Sequence, residues 1–141
     1  MAEVIALHRA AEHHAPMESL EQVAVIEDYG LEGDRGARVG RKRQVLLVPN
    51  EVLEALDLQP GQVRENVTTQ GVDLMALGVG SRLRVGEVLL EMVEACDPCK
   101  RLEEVRPGLE AALGGKRGMI ARVLEGGQVC RGAAIEVLAG P

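Results

Sequence analysis

Residues 82–94 read RLRVGEVLLEMVE, two aliphatic runs separated by Gly86 and Glu87. Short runs rich in Val, Leu and Ile and bounded by glycine are typical of β-strands. Similar runs recur along the whole chain, which predicts a mainly β fold. The predicted strands are residues 4–8, 22–27, 44–48, 65–69, 82–85, 88–94, 119–124 and 134–138.

Glycines separate these runs, and the Gly126-Gly127 pair predicts a hairpin turn between its flanking apolar runs. Helical pattern is limited to residues 50–58, 74–77 and about 100–113, the last interrupted at Pro107. Asn50 is the expected N-cap of the first helix. No repeat or linker divides the chain, so residues 1–141 are predicted to form a single closed, β-rich domain with small helical inserts.

The charge balance excludes several classes of function. The chain has 22 acidic and 16 basic residues and a net charge of -6, which argues against a general binder of nucleic acid or anionic membranes. It has no Trp or Phe and a single tyrosine, Tyr29, so stacking of nucleobases on aromatic side chains is also excluded. Any anion that the protein binds must therefore meet a local cationic pocket.

The sequence favours a cytoplasmic protein. Charged residues stand among the first 20 positions, where a signal peptide needs an apolar stretch, and no apolar run approaches the ~18 residues of a membrane span. The three cysteines are an odd number, which fits a reducing compartment better than a disulfide framework. At least one thiol is expected to be free.

Residues 94–101, EACDPCKR, are the most reactive-looking segment of the chain. At the start of a helix, and beside Lys100 and Arg101, Cys99 would have a lowered pKa and act as a nucleophile or soft-metal ligand. A redox pair of Cys96 and Cys99, a structural zinc site, and two buried thiols without a chemical role are the alternatives. The pattern alone leaves these four interpretations open.

A second candidate segment, GLEGDRG at residues 30–36, precedes the basic residues Arg38, Arg41, Lys42 and Arg43. Exposed backbone N–H groups and guanidinium groups on such a loop can hold a phosphate. The alternative is a solvated turn in which Asp34 and Arg35 pair with each other or with neighbours.

A third segment is Arg64-Glu65-Asn66, at the start of a predicted strand. Residues two apart on a strand point to the same face, so Arg64 and Asn66 either line a polar pocket or form a pair at the surface.

These segments belong to an ordered series. GLEGDR at 30–35 is followed by RQV at 43–45, Arg64-x-Asn66, GV-x-L at 71–74, LGVG at 77–80, and CDPC at 96–99. The series ends with Gly118, RVL at 122–124 and Gly126-Gly127. In this order the motifs resemble the MOSC domain family, the carboxy-terminal domain of molybdenum-cofactor sulfurases, which also occurs as small stand-alone bacterial proteins.

The resemblance implies a mainly β, barrel-like fold with a few short helices, and a role for Cys99. In the family, the cysteine after proline is proposed to carry sulfur as a persulfide or to ligate the molybdenum of the pterin cofactor. The resemblance also implies that Arg35, Arg64 and Asn66 surround the pterin phosphate and the metal. The full candidate set for binding molybdopterin is Arg35, Arg64, Asn66, Asp34, Gly33 and Lys100.

One position departs from the family pattern, because Gly36 stands where members often have a histidine. This favours a carrier or cofactor-binding protein over a complete molybdenum enzyme. A cysteine desulfurase or another sulfur donor is then the expected partner. The alternatives are an oxidoreductase that reduces N-hydroxylated or N-oxide compounds with electrons from a partner protein, and a non-catalytic β-barrel interaction module.

Overall fold

The computed structural model describes residues 2–12, 15–96, 102–114 and 117–138. These ranges form eleven strands, three short helices and one 3₁₀ turn, Leu74–Ala76. The strands are β1 Glu3–Arg9, β2 Glu18–Leu20, β3 Gln22–Ile26, β4 Gly30–Leu31, β5 Val45–Pro49, β6 Val67–Gln70, β7 Arg82–Val85, β8 Val88–Ala95, β9 Met119–Glu125, β10 Gly127–Cys130 and β11 Ile135–Val137. The helices are α1 Asn50–Ala55, α2 Leu102–Val105 and α3 Leu109–Ala112.

The strands form two sheets. Eight of them follow the order β11-β7-β8-β9-β5-β6-β1-β2, and the other three follow the order β10-β3-β4. All neighbours are antiparallel except β5 and β6, which α1 joins in a parallel crossover. Among the described strands the order of the larger sheet runs from β11 to β2 without closing on itself. The fold is therefore mainly β, as predicted, but is not a closed barrel.

Backbone hydrogen bonds bring the two ends of the chain together. The Val4 N–H donates to the Ala133 carbonyl at 2.9 Å, and the Ile135 N–H donates to the Ala2 carbonyl at 2.9 Å. The start of β1 is thereby attached to the segment that enters β11.

Two aliphatic clusters hold the elements together. The larger packs the two sheets against each other through residues such as Leu7, Leu31 and Leu90, all at most 2% exposed. The smaller joins the other side of β5 to the helices and contains Val63 on the segment before β6. Burial of each such side chain contributes roughly 1.5–3 kcal/mol. Val63 and Leu102 share this second cluster, so the segment before β6 and α2 bury side chains in the same core.

Each of the eight predicted strands is confirmed, with both of its ends within two residues of the observed ones. The prediction for residues 82–85 matches β7 at both ends. The hairpin predicted at Gly126-Gly127 is wrong, because β9 pairs with β5 and β8 whereas β10 crosses to β3. A Cβ on Gly126 would lie 2.6 Å from the Val25 carbonyl oxygen, so glycine serves a close crossing there and not a hairpin.

The predicted helices are shorter than expected, and the interruption at Pro107 does divide α2 from α3. Asn50 is not the N-cap of α1. Pro49 occupies the cap position, and the Asn50 amide instead donates to Glu54 Oε1 at 2.6 Å, one turn along the helix. Within the described ranges, no helix is long and apolar enough to cross a membrane.

Candidate functional site

A cleft of about 670 Å³ opens beside the ends of β1 and β5. Five arginines line it, and the only acids that line it in the described part of the chain are Asp34 and Glu104, which leaves three net positive charges. The chain as a whole has a net charge of -6. Because guanidinium groups recognise oxyanions in a planar, bidentate way, this local reversal of charge favours an anionic ligand. The five are Arg35, Arg41, Arg43, Arg64 and Arg117.

The loop that carries Arg35 is held to the end of β1 by a reciprocal pair of hydrogen bonds. The Asp34 carboxylate accepts from the Ala10 N–H at 2.9 Å, and the Arg35 N–H donates to the Ala10 carbonyl at 2.7 Å. Asp34 is buried whereas Arg35 is exposed. The acid therefore positions the loop, and the neighbouring arginine faces the cleft.

Four backbone amides in or next to this loop have acceptors within the fold. Besides Arg35, the N–H groups of Glu32, Asp34 and Ala37 donate to the carbonyls of Ala24, Leu31 and Asp34 at 2.9–3.1 Å. These donors are already used within the fold. The loop also presents the Arg35 guanidinium to the cleft, where it can bind an anion.

The basic stretch of residues 35–43 contains five cations and no acid. None of these five forms an ion pair within the described part of the chain. Gln44, which is 2% exposed, anchors the stretch: its amide donates to Asp28 Oδ1 at 3.1 Å and to the Arg38 carbonyl at 3.2 Å. Its Oε1 accepts from the Val123 N–H at 2.9 Å. One buried amide thus fixes the basic stretch to β9.

Arg64 reaches the cleft from a strained backbone conformation. Its φ is 62°, in the left-handed region, which costs a residue other than glycine about 1 kcal/mol or more. Its Nη1 donates to the Ala15 carbonyl at 2.8 Å. The sequence predicts that Arg64 and Asn66 share a face because both lie on a strand. That reason is wrong, since β6 begins only at Val67. The two residues nevertheless line the same cleft.

Asn66 uses its side chain to connect strands. Its Oδ1 accepts from the Leu46 N–H at 2.9 Å, and its Nδ2 donates to the His8 carbonyl at 3.2 Å. Its own backbone N–H donates to the Leu46 carbonyl at 2.9 Å. Asn66 therefore ties β5 to β1 at the rim of the cleft and orients the segment that carries Arg64.

The residue that follows β8 contacts Arg43, which lines the cleft. Cys96 is 2% exposed, its N–H donates to the Gly118 carbonyl at 2.9 Å, and Arg43 Nη2 lies 3.6 Å from its Sγ. Gly118 is required at this crossing, because a Cβ there would lie 2.2 Å from the Leu47 carbonyl oxygen. The neighbouring Arg117 donates through Nη2 to the Val63 carbonyl at 2.9 Å.

Helix α2 forms another part of the wall, with Leu102, Glu104 and Val105 lining the cleft. Glu103, next to them, accepts from the Gly108 and Glu110 N–H groups at 2.9 Å each and so connects α2 to the start of α3. These two backbone hydrogen bonds lower the pKa of the Glu103 carboxyl, and the bond from Gly108 has the larger effect.

Comparison of the sequence with known protein families decides the relationship. The sequence model of the MOSC domain matches residues 34–136, well over half of the chain. The chain belongs to the MOSC domain family. The family is associated with the molybdenum cofactor. A search of the curated proteins finds no match.

Solved structures show the same fold. The YuaD protein from Bacillus subtilis aligns with a TM-score of 0.80 at 23% identity, over 97% of this chain and 96% of that one. YiiM from Geobacillus stearothermophilus aligns at 0.80 and 18% identity, over 99% of this chain and 76% of its own. YiiM from Escherichia coli aligns at 0.75 and 21% identity, over 100% of this chain and 71% of its own.

The MOSC fold brings together four of the six predicted cofactor-binding residues, since Asp34, Arg35, Arg64 and Asn66 all line the cleft. Gly33 is placed differently: a Cβ there would lie 2.9 Å from Arg9 Nη1, and Gly33 is not among the residues that line the cleft. Cys99 and Lys100 lie outside the described residues. Among the described residues no group of three His, Cys, Asp or Glu side chains is arranged to hold a metal.

Sequence reasoning missed two parts of this MOSC cleft. Arg117 and Gln44 were not predicted as site residues, although both line it. Arg117 stands next to the motif glycine Gly118, and Gln44 follows Arg43 within the RQV motif. Their place in or beside these motifs was the sequence feature that could have identified them as site residues. Their burial, at 7% and 2% exposure, has no counterpart in the local pattern of the sequence.

Proposed function

We propose that this MOSC protein binds the molybdenum cofactor through the anionic groups of its pterin, and that Cys99 acts as a sulfur-carrying or molybdenum-ligating thiolate. The observation that supports this most is the cleft with five arginines in a protein whose net charge is -6. A cofactor that carries a phosphate monoester fits this donor set, because arginine pairs with phosphate oxygens through two parallel N–H bonds.

The five arginines of the cleft would hold the phosphate and the other anionic groups of the cofactor. Asp34 and Asn66 would act indirectly, by fixing the backbone of Arg35 and Arg64 through the hydrogen bonds to Ala10 and Leu46. The bound cofactor would supply transfer of an oxygen or sulfur atom at molybdenum. Aliphatic residues such as Leu46, Val63 and Ile120 contribute the apolar part of the lining, which suits the ring system of a pterin.

The position of Cys99 along the chain supports its role. Cys96, which contacts Arg43, and Leu102, which lines the cleft, are the described residues that bound the segment 97–101. Three residues span at most about 11 Å, so Cys99 is separated from each of these two described residues by no more than that length of chain. As a sulfur carrier, the Cys99 thiolate would attack the outer sulfur of a donor persulfide. The donor S–S bond breaks, a new S–S bond forms on Cys99, and the donor leaves as a thiolate.

The test is the cofactor content of protein purified from a host that makes the cofactor. The wild type should contain molybdenum and pterin in comparable amounts, and the double variant Arg35→Ala/Arg64→Ala should lose most of both. Arg82→Ala is the matched control, because Arg82 is an exposed arginine that pairs with Glu91 on β8 and does not line the cleft. Wild-type protein without pterin, or a double variant that retains it, would overturn the proposal.

The two roles of Cys99 give different results with Cys99→Ala. A molybdenum ligand predicts loss of metal from the variant, whereas a sulfur carrier predicts a persulfide on wild-type Cys99 after incubation with a cysteine desulfurase. Full metal content and full sulfur-acceptor capacity in the variant would contradict both roles. Reduction of an N-hydroxylated compound by the cofactor-loaded protein would identify the oxidoreductase instead. That reaction breaks an N–O bond with two electrons from a partner and two protons, and it releases water.

A further inference from the structure

We propose that Glu65, the residue between Arg64 and Asn66, is a positioning residue that holds Arg64 in place to bind the anion. This inference rests on the proposed function, because it assumes that Arg64 contacts a phosphate. It concerns the one acid in a motif whose two flanking residues both line the cleft.

Glu65 closes the loop that carries Arg64. Its Oε2 accepts from the Gly61 N–H at 2.8 Å and from the Thr68 hydroxyl at 2.7 Å. The Arg64 N–H in turn donates to the Gly61 carbonyl at 3.0 Å. The N–H of Gly61 therefore bonds to the Glu65 side chain, and the carbonyl of Gly61 bonds to the Arg64 backbone. Arg64, in its left-handed conformation, is thus joined to the same turn that the Glu65 carboxylate holds.

The burial of Glu65 indicates that its role is not explained by stability alone. The residue is 0% exposed, and its second oxygen, Oε1, has no hydrogen-bond partner among the described residues. A carboxyl group that is buried and only half satisfied opposes folding, and a smaller hydrogen-bonding side chain would avoid that cost. Strained or unsatisfied groups of this kind cluster at functional sites.

The loop that carries Arg64 is held by contacts on two sides. Gly61 has a φ of 91°, and a Cβ on it would lie 2.8 Å from His8 Nε2, so the turn is packed against β1. On the other side, Arg117 donates to the carbonyl of Val63. A loop fixed on both sides keeps the Arg64 guanidinium at one position in the cleft, which reduces the entropy lost when an anion binds.

The experiment is a double-mutant cycle on anion affinity, with inorganic pyrophosphate as the probe and isothermal titration calorimetry as the readout. Arg64→Ala should weaken binding at least about tenfold, and Glu65→Gln, which replaces the carboxylate by a weaker amide acceptor for the Gly61 and Thr68 hydrogen bonds, should weaken it about threefold to tenfold. In the Arg64→Ala background, Glu65→Gln should have no further effect. A merely structural role would produce the same loss in both backgrounds and would overturn the inference.

Two further variants keep the test decisive. Glu51→Gln is the matched control, since the Glu51 carboxylate also accepts from a loop N–H, that of Gly71 at 2.8 Å, and does not line the cleft. It should leave the affinity unchanged. If Glu65→Gln does not fold, Thr68→Val removes one of the two donors to the carboxylate and should show the same dependence on Arg64. Absence of pyrophosphate binding by the wild type would count against the proposed function, whereas normal binding by Glu65→Gln and Thr68→Val would overturn this inference alone.

Discussion

Replacement of Gln44 by alanine should destabilise the protein more than any polar substitution in the basic stretch of residues 35–43, which it anchors. The Gln44 side chain is 2% exposed and takes part in three hydrogen bonds, to Asp28, Arg38 and Val123. It is the side chain that connects the basic stretch to β9. The substitution Gln44→Ala removes all three hydrogen bonds and leaves the Val123 N–H without its acceptor.

The magnitude follows from what each hydrogen bond contributes. Leaving the buried Val123 N–H unpaired costs about 1–3 kcal/mol, and the lost bond to the Arg38 carbonyl costs about 1 kcal/mol. The contact with the exposed Asp28 adds little. A total of ~3 kcal/mol, divided by an unfolding entropy of roughly 0.3 kcal/mol/K for a chain of this size, predicts a fall in Tm of about 10 °C.

Thermal unfolding followed by far-ultraviolet circular dichroism is the appropriate assay, because the chain has no tryptophan to report by fluorescence. Gln128→Ala, at an exposed position on β10, is the matched control and should change Tm by less than ~2 °C. A fall of less than about 3 °C for Gln44→Ala would refute the argument that one buried amide fixes the basic stretch.

The pKa of the His8 imidazole is lowered below the unfolded value of 6.5, mainly because the side chain is buried. The charge of Glu65 opposes this shift, and that of Arg131 adds to it. The unfolded chain therefore takes up this proton first, so stability is complete above pH ~6.5 and declines as the pH falls through the folded pKa. Thermal unfolding between pH 7.5 and 5 should show a smaller decline in Tm for His8→Gln, and equal declines would contradict the assignment. Gly118→Ala should cost more than ~3 kcal/mol or prevent folding, because its Cβ would meet the Leu47 carbonyl oxygen at 2.2 Å and Val48 Cγ2 at 2.9 Å. Normal yield and Tm of purified Gly118→Ala would be inconsistent with that close approach.

Strands with aliphatic runs could be predicted from the sequence, because burial of one face imposes a pattern that can be seen locally. The strands that were missed, β2, β4 and β10, are four residues long or shorter. Gly30–Leu31 forms a strand only because β3 is beside it, and such pairing depends on contacts distant in sequence. The same limitation explains the wrong hairpin at Gly126, where β10 leaves β9 and pairs with the three-stranded sheet.

The residues of the candidate site could largely be predicted from the motifs, but the role of each side chain could not. Asp34 and Asn66 were expected to bind the cofactor, yet each uses its side chain to hold backbone groups in place. Glu65 carries no signal in the sequence, since nothing local distinguishes a buried acid from a solvated one. The cations of residues 35–43 were visible as a charge run, whereas the convergence of Arg35, Arg41 and Arg43 with Arg64 and Arg117 depends on the fold.

The central claim, that arginines in the cleft bind the phosphate of a pterin, is tested most directly by equilibrium binding of two ligands. Hydroxymethylpterin phosphate and unphosphorylated hydroxymethylpterin differ only in that group. Fluorescence of the pterin reports binding without background from the protein, which has no tryptophan. The phosphorylated ligand should bind at least about 100-fold more tightly, equivalent to about 2.7 kcal/mol, and Arg35→Ala/Arg64→Ala should remove most of that preference. Equal affinity for the two ligands in the wild type would contradict the claim.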